Sequence, residues 1–93
     1  MGSRVVAAAA LGRLAREALT TGAGWTSRPA THLRHQVWVV LRGQQPAAEG
    51  IYDRWRQVQA ARAVGPGAVI QGFPSHTEAL AFMGAAGREV PRR

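Results

Sequence analysis

The stretch that decides the fold is QVWVVL at residues 36–41, which is followed by Arg42 and Gly43. β-branched and aromatic residues fill it, and such a run beside a turn signal is typical of a central β-strand. Residues 44–50 predict a loop, and GIY at residues 50–52 predicts a second strand. Because so few residues separate the two strands, we expect them to pair antiparallel.

A helix and a third strand follow this hairpin. Asp53 is a good N-cap residue, and the spacing of Trp55 and Val58 predicts a helix over residues 54–64 with both side chains toward the core. The Gly-Pro-Gly sequence that comes next ends this helix. The apolar stretch AVIQGF at residues 68–73 then predicts the third strand.

The last element is a helix over residues 76–86. Ser75 and Glu78 form a capping-box sequence at its start, and its core side chains are Ala79, Leu80, Phe82 and Met83. The order β-β-α-β-α predicts an α+β domain over residues 37–86. We expect a small three-stranded antiparallel sheet with two helices on one face, which leaves the other face or the sheet edge for a partner.

The composition favours a basic, folded and non-catalytic module. The 93 residues carry 12 Arg and no Lys against 5 acidic residues, for a net charge of +7. The absence of cysteine excludes a disulfide framework and a thiolate zinc site. The acids are scattered, and His32 and His35 have no suitable co-ligands nearby, so we expect no enzyme, no cofactor and no metal. The charge favours polyanion partners over small-molecule substrates.

Residues 1–36 differ in character from the domain. They are Arg-rich, Glu17 is the acid among them, and they predict a basic amphipathic helix over residues 4–20. Its apolar side holds Leu11, Leu14, Ala15, Ala18 and Leu19. No charge-free run approaches the roughly 20 residues of a membrane span, so none is expected.

Three interpretations of this extension stay open. An Arg-bearing, acid-poor amphipathic N-terminus is typical of an organelle transit peptide. It also suits a helix that docks in an assembly or a tail that contacts RNA, and residues 1–3 fit the remnant of an expression tag. At the other end, residues 87–93 predict a frayed basic C-terminal tail.

Several blocks, taken in order, resemble a known family. They are VWVVLRG at 37–43, GIYDRW at 50–55, GPGA at 65–68, Phe73, and TEALAF at 77–82. Together they resemble the amino-terminal hybrid-binding domain of eukaryotic-type ribonuclease H, which caulimovirus viroplasmin shares. The Gly-Ile-Tyr-x-x-Trp block is the most specific of them. The resemblance does not extend to the catalytic ribonuclease domain with its carboxylate cluster.

The resemblance implies a function and a set of site residues. The family grips RNA/DNA hybrids or duplex RNA without cleaving them. Carried over, Gly67 and Ala68 offer backbone groups to RNA 2′-hydroxyls, Trp55 lies against a sugar of the other strand, and Trp38 stands at the aromatic position of the first strand. We expect phosphate contacts from the arginines of this region, which are Arg42, Arg54, Arg56 and Arg62.

The chain departs from the family pattern at two places. The third strand of the family carries an aromatic residue and two lysines that clamp DNA phosphates, whereas this chain has Ile70, Gln71 and Gly72 there. Residues 47–49 also lengthen the first hairpin. The arginines around the first strand and first helix are the candidates to replace the missing lysines.

These observations predict a non-catalytic RNA-binding module that reads the shape of duplex RNA or an RNA/DNA hybrid. We expect a structural subunit of an organellar ribonucleoprotein, such as a mitochondrial ribosome, with RNA and protein neighbours. The alternative is a protein–protein adaptor or accessory subunit of a large organellar complex that reuses the fold without nucleic acid. The predicted location is mitochondrial, with the cytoplasm as the alternative.

Overall fold

A computed structural model describes residues 3–27, 37–43, 48–65 and 67–88 of the chain. These residues form three helices and four strands, and each predicted element forms within two residues of its expected bounds. In chain order they are α1 (Ser3–Thr21), β1 (Trp25–Ser27), β2 (Val37–Leu41), β3 (Gly50–Tyr52), α2 (Trp55–Arg62), β4 (Val69–Phe73) and α3 (His76–Ala85).

The sheet has four strands in the order β1-β4-β2-β3, and it is mixed rather than purely antiparallel. The expected antiparallel pairing of β2 with β3 and with β4 is present. The fourth strand, β1, runs parallel to β4, with Trp25 opposite Val69 and Ser27 opposite Gln71. The prediction of three antiparallel strands is therefore incomplete, because a strand of the N-terminal extension covers the outer edge of β4.

Helices cover both faces of this sheet, which corrects the expectation of two helices on one face. Alternate residues of β2 enter two separate cores: Val37, Val39 and Leu41 pack with α1 and α3, whereas Trp38 and Val40 pack with α2. All five residues of β2 are buried. Because side chains alternate across a strand, an unbroken apolar run needs cover on both sides.

Helix α1 docks closely on α3 through small residues. A Cβ atom at Gly12 would overlap the carbonyl oxygen of Phe82 and lie 2.7 Å from the Cβ of Ala85. Ala8, Ala15 and Ala18 of α1 are buried in the same interface. Leu14 is 54% exposed, so its predicted place on the apolar side is wrong. The helix backbones approach too closely for large side chains, so the small residues define the buried stripe.

The two helix starts in the domain differ. Ser75 caps α3 as predicted: its Oγ accepts the backbone N–H of Glu78 and donates to Oε2 of that carboxylate at 3.0 Å. The predicted cap of α2 is wrong, because Arg54 occupies the N-cap position without a side-chain hydrogen bond and Asp53 is exposed. Tertiary packing of α2 on the sheet therefore has to stabilise this short helix.

Several predicted features lie outside the described residues. They are the segment boundary at residue 36, His32 and His35, the loop at residues 44–47, and residues 89–93 of the basic tail. Among the helices that the structure describes, none is long and apolar enough to cross a membrane.

The turn before β1 supplies a test of the docking of this strand. Gly24 has φ +59°, and a Cβ there would lie 2.7 Å from the Ala68 carbonyl oxygen. Gly24→Ala should lower the free energy of unfolding by about 2–4 kcal/mol, since backbone strain adds to a backbone clash. Chemical denaturation of the full chain measures this.

Gly22→Ala is the matched control, because Gly22 has φ +76° but open space around its missing Cβ. It should cost only about 1–2 kcal/mol, from the left-handed backbone alone. Equal losses in the two variants would mean that β1 does not pack against residues 67–68.

Candidate nucleic-acid interface

The outer surface of α2 is basic. Helix α2 turns Val58 and Ala61 onto the sheet, and the other side chains from Arg54 to Arg62, apart from the half-buried Trp55, are exposed. Arg54 before the helix and Arg56 and Arg62 within it are all exposed. Within the part of the chain that the structure describes, these three guanidinium groups form no ion pair. Three of the four predicted phosphate-binding arginines are therefore available on one face.

Two ion pairs among the described residues lie on the side of the sheet that α1 and α3 cover. Arg4 of α1 lies 3.6 Å from Glu78 of α3, and Arg88 after α3 pairs with Glu49 at 3.0 Å. The acidic residue beside α2 is Asp53, which directly precedes Arg54. Among the described residues, the α1/α3 side carries four arginines against three glutamates, two of which are in ion pairs. The α2 side carries three exposed arginines against one aspartate, so it is the more positive side and favours a polyanion.

A pair of tryptophans lies under the basic surface. The rings of Trp38 and Trp55 are 5.5 Å apart and inclined at 57°, a favourable tilted geometry. Trp38 on β2 is only 6% exposed, whereas Trp55 at the start of α2 is half-buried. Trp55 is therefore the aromatic residue that can reach a ligand, and Trp38 supports it from the core.

Arg42 is set apart from the other three arginines. It is 4% exposed at the end of β2, and its backbone N–H donates to Oε2 of Glu49 at 2.7 Å. The same carboxylate oxygen accepts from Nε of Arg88 at 3.0 Å. Glu49, which belongs to the longer hairpin of this chain, thus ties β2 to the end of α3. The structure gives Arg42 a buried position and leaves the exposed positive charge to α2.

The predicted backbone contacts lie at the other end of α2. Gly67 has φ +83°, and both it and Ala68 are half-buried. The backbone N–H of Trp25 donates to the carbonyl oxygen of Ala68 at 2.9 Å, so β1 begins directly beside this turn. Arg62, Gly67 and Ala68 line one groove together with residues 23–26. The eight residues of α2 place Arg54 and Trp55 about 12 Å from that groove.

The three positions that replace the family's aromatic residue and lysines serve the fold. Ile70 is buried against α2, and Gly72 lies opposite Trp38 without a side chain. The amide nitrogen of Gln71 donates to Oγ of Ser27 at 3.3 Å and to the Gly72 carbonyl at 3.2 Å. Where the family clamps phosphate, this chain therefore binds its own strand β1.

Three residues in and around this site could not be found from the sequence, because tertiary contacts bring them into place. Thr26 reaches the groove only because β1 pairs with β4, which no local pattern signals. Glu49 and Arg88 have opposite charges, but 39 residues separate them in sequence. Among the described residues, no cluster of His, Asp and Glu side chains could hold a metal ion.

Comparison with known families agrees with this geometry. A family profile for the Ribonuclease H1 N-terminal domain, which is hybrid-binding, matches residues 36–83. The match covers more than half of the chain, and the chain belongs to this family. The matched family model describes the non-catalytic N-terminal domain, and no catalytic domain is evident in the 93 residues. Searches of curated proteins and of solved structures found no match.

The burial of Trp38 leads to a test of its role. Its indole N–H is buried and has no hydrogen-bond acceptor among the described residues. Trp38→Phe keeps an aromatic ring under Trp55 and removes this N–H. We expect the free energy of unfolding to change by less than about 1 kcal/mol, since a smaller ring offsets the removed polar group.

The affinity for an RNA/DNA hybrid should stay unchanged in this variant. Titration of the full chain with a fluorescent hybrid measures it. A loss of affinity with unchanged stability would show that Trp38 itself contacts the ligand.

Proposed function

We propose that this chain is a non-catalytic RNA-binding module that uses the α2 face to hold an RNA/DNA hybrid or duplex RNA. The family suggests nucleic-acid binding. The observation that carries the proposal is the exposed set of Arg54, Arg56 and Arg62, which form no ion pair within the described residues and flank a half-buried Trp55.

The physical chemistry of this face suits a duplex that contains RNA. Guanidinium groups bind phosphates whatever the base sequence, and their planar donors fit phosphate oxygens in pairs. An aromatic ring held at an angle by a second ring gives a rigid apolar surface for a sugar or a base. The wide minor groove of A-form helices presents 2′-hydroxyls to such a face, so shape rather than base sequence is recognised.

The α2 arginines also provide a replacement for the lysines that β4 lacks. Gln71 is taken up by its bond to Ser27, and Ile70 is buried, so β4 offers no cation to a phosphate. The positive charge of this face comes from α2 instead. We therefore expect phosphate contacts to be shifted from the sheet toward the helix.

A protein–protein adaptor is the second candidate function. The outer surface of α1 exposes two large apolar side chains, Val6 at 65% and Leu14 at 54%. They lie two helical turns apart on the same side of α1, on the sheet face opposite α2. Binding through these side chains would change little with salt, whereas phosphate binding falls steeply. Membership of a ribosome or another organellar assembly, and a mitochondrial location, stay predictions from the composition of residues 1–36.

Removing the charge of two α2 arginines tests the proposed function. The double variant Arg54→Gln/Arg56→Gln should reduce the slope of log K against log salt concentration by about 1.8, since each phosphate contact contributes about 0.9. Both side chains are exposed, so the fold should be unaffected. Salt-series titrations with length-matched RNA/DNA hybrid, duplex RNA and duplex DNA measure this.

Arg13→Gln is the charge-matched control, because Arg13 is exposed on α1, across the sheet from α2. It should leave the slope nearly unchanged, and hybrid or duplex RNA should bind more tightly than duplex DNA. A slope reduced equally by Arg13→Gln would point to unspecific charge attraction. Binding of no duplex by the unmodified chain would contradict the proposal outright.

A further inference from the structure

The groove beside the turn at residues 65–68 has two walls of different origin. One wall is the end of α2 and the turn, with Arg62, Gly65, Gly67 and Ala68. The other wall is residues 23–26 of the N-terminal extension, which lie outside the family match at residues 36–83. The family match therefore does not account for the wall that residues 23–26 form.

Register places the hydroxyl of Thr26 on the α2 side of the sheet. Thr26 pairs with Ile70 in the parallel β1–β4 ladder, and paired residues point to the same face. Ile70 packs in the core beneath α2, so Thr26 lies on that face at the outer edge. Trp25, its neighbour, packs against the opposite core. The extension thus adds a hydroxyl to the face that carries the α2 arginines.

The Arg62 guanidinium and the Thr26 hydroxyl offer hydrogen-bond donors to the groove, while several backbone carbonyls around it are occupied. The Ala68 carbonyl already accepts the N–H of Trp25, and the Arg62 carbonyl accepts that of Gly65. The carbonyls of Gln59 and Ala61 at the end of α2 are likewise occupied. Among the described residues, the Arg62 guanidinium forms no ion pair, and no carboxylate lines the groove. A ligand that accepts hydrogen bonds and carries negative charge fits this set.

The groove is too small to enclose a drug-sized molecule and suits a small group. Its volume is about 250 Å³, below the roughly 300–1,000 Å³ of sites that enclose drug-sized molecules. Small residues line most of it, and Gly24 and Gly67 bring two backbones into close approach. A tetrahedral oxyanion with a few waters fits such a space. The aromatic residue of the lining, Trp25, packs its side chain against the opposite core, so it gives a base no stacking surface in the groove.

We propose that this groove binds a backbone phosphate of the nucleic acid, held by the Arg62 guanidinium and the Thr26 hydroxyl. The inference rests on the proposed function and adds a contact from the extension to it. The bound strand then runs along the whole of α2, from Arg54 and Trp55 to the groove about 12 Å away. Strand β1 is therefore part of the binding surface as well as part of the sheet.

Two variants and their matched controls test this proposal in the full chain. Arg62→Gln should reduce the salt slope for the RNA/DNA hybrid by about 0.9 and weaken binding about five- to tenfold near 0.1 M salt. Thr26→Val keeps a β-branched strand residue, so it should weaken binding about two- to tenfold with the slope unchanged. Arg13→Gln and Thr77→Val, both exposed across the sheet, should do neither.

A second measurement uses inorganic pyrophosphate as the probe, followed by backbone amide NMR shifts. Saturable shifts at Gly24, Thr26 and Gly65 that Arg62→Gln abolishes would support the groove as an anion site. Absence of these shifts would overturn it. Unchanged thermal unfolding of the variants confirms that they remain folded.

The two proposals fail in different ways. If the chain binds hybrid and the Arg54→Gln/Arg56→Gln variant weakens it, but Arg62→Gln and Thr26→Val match their controls, the groove proposal is wrong and the proposed function stands. If the chain binds neither hybrid nor duplex RNA but pyrophosphate still shifts the groove amides, the proposed function is wrong and the groove belongs to a free phosphate compound instead.

Discussion

The rest of the structure depends on a strand that is apolar on both faces. All five residues of β2 are buried, and their side chains alternate between two cores. Each square ångström of apolar surface removed from water contributes about 25 cal/mol, so neither face can stay open. Helix α2 covers one face, and α3 covers the other with α1 packed against it through Gly12. The extension is thus a structural part of the domain, and among the helices that the structure describes α2 alone covers its side of the sheet.

This arrangement explains how a small basic domain presents a positive surface. Glu49 pairs with Arg88 and Glu78 pairs with Arg4, so both ion pairs lie around α1 and α3. The α2 side keeps its exposed arginines, and Trp38 fixes the position of Trp55 beneath them. At the other edge, Gln71 binds β1 at a position where the family resemblance implies a phosphate clamp. Strand β1 also brings Thr26 to the groove. The strand that pairs with β4, where the family's lysines are missing, therefore also supplies a hydroxyl to the α2 side.

Local signals predicted most elements, because strands β2, β3 and β4 and helices α2 and α3 each carry their own periodicity or cap. The Ser75 cap is such a signal, and the structure has it. The position of β1 had no local signal, since a three-residue strand shows no periodicity and its partner lies 44 residues away at Ile70. The unbroken apolar run of β2 indicates that both faces of the sheet are covered, but the order of elements alone favours helices on one face. The burial of Arg42 and the bond from its backbone N–H to Glu49 are tertiary features that composition cannot reveal.

We propose that nucleic acid binds on the α2 face, including the groove beside β1. Backbone amide NMR of the full chain, titrated with a short RNA/DNA hybrid at moderate salt, tests it most directly. We expect the largest shifts along α2 from Arg54 to Arg62, continuing into residues 23–26 and 65–68. Shifts confined to α1 and α3 would show that the ligand binds across the sheet from the α2 arginines, and the proposed interface would then be wrong.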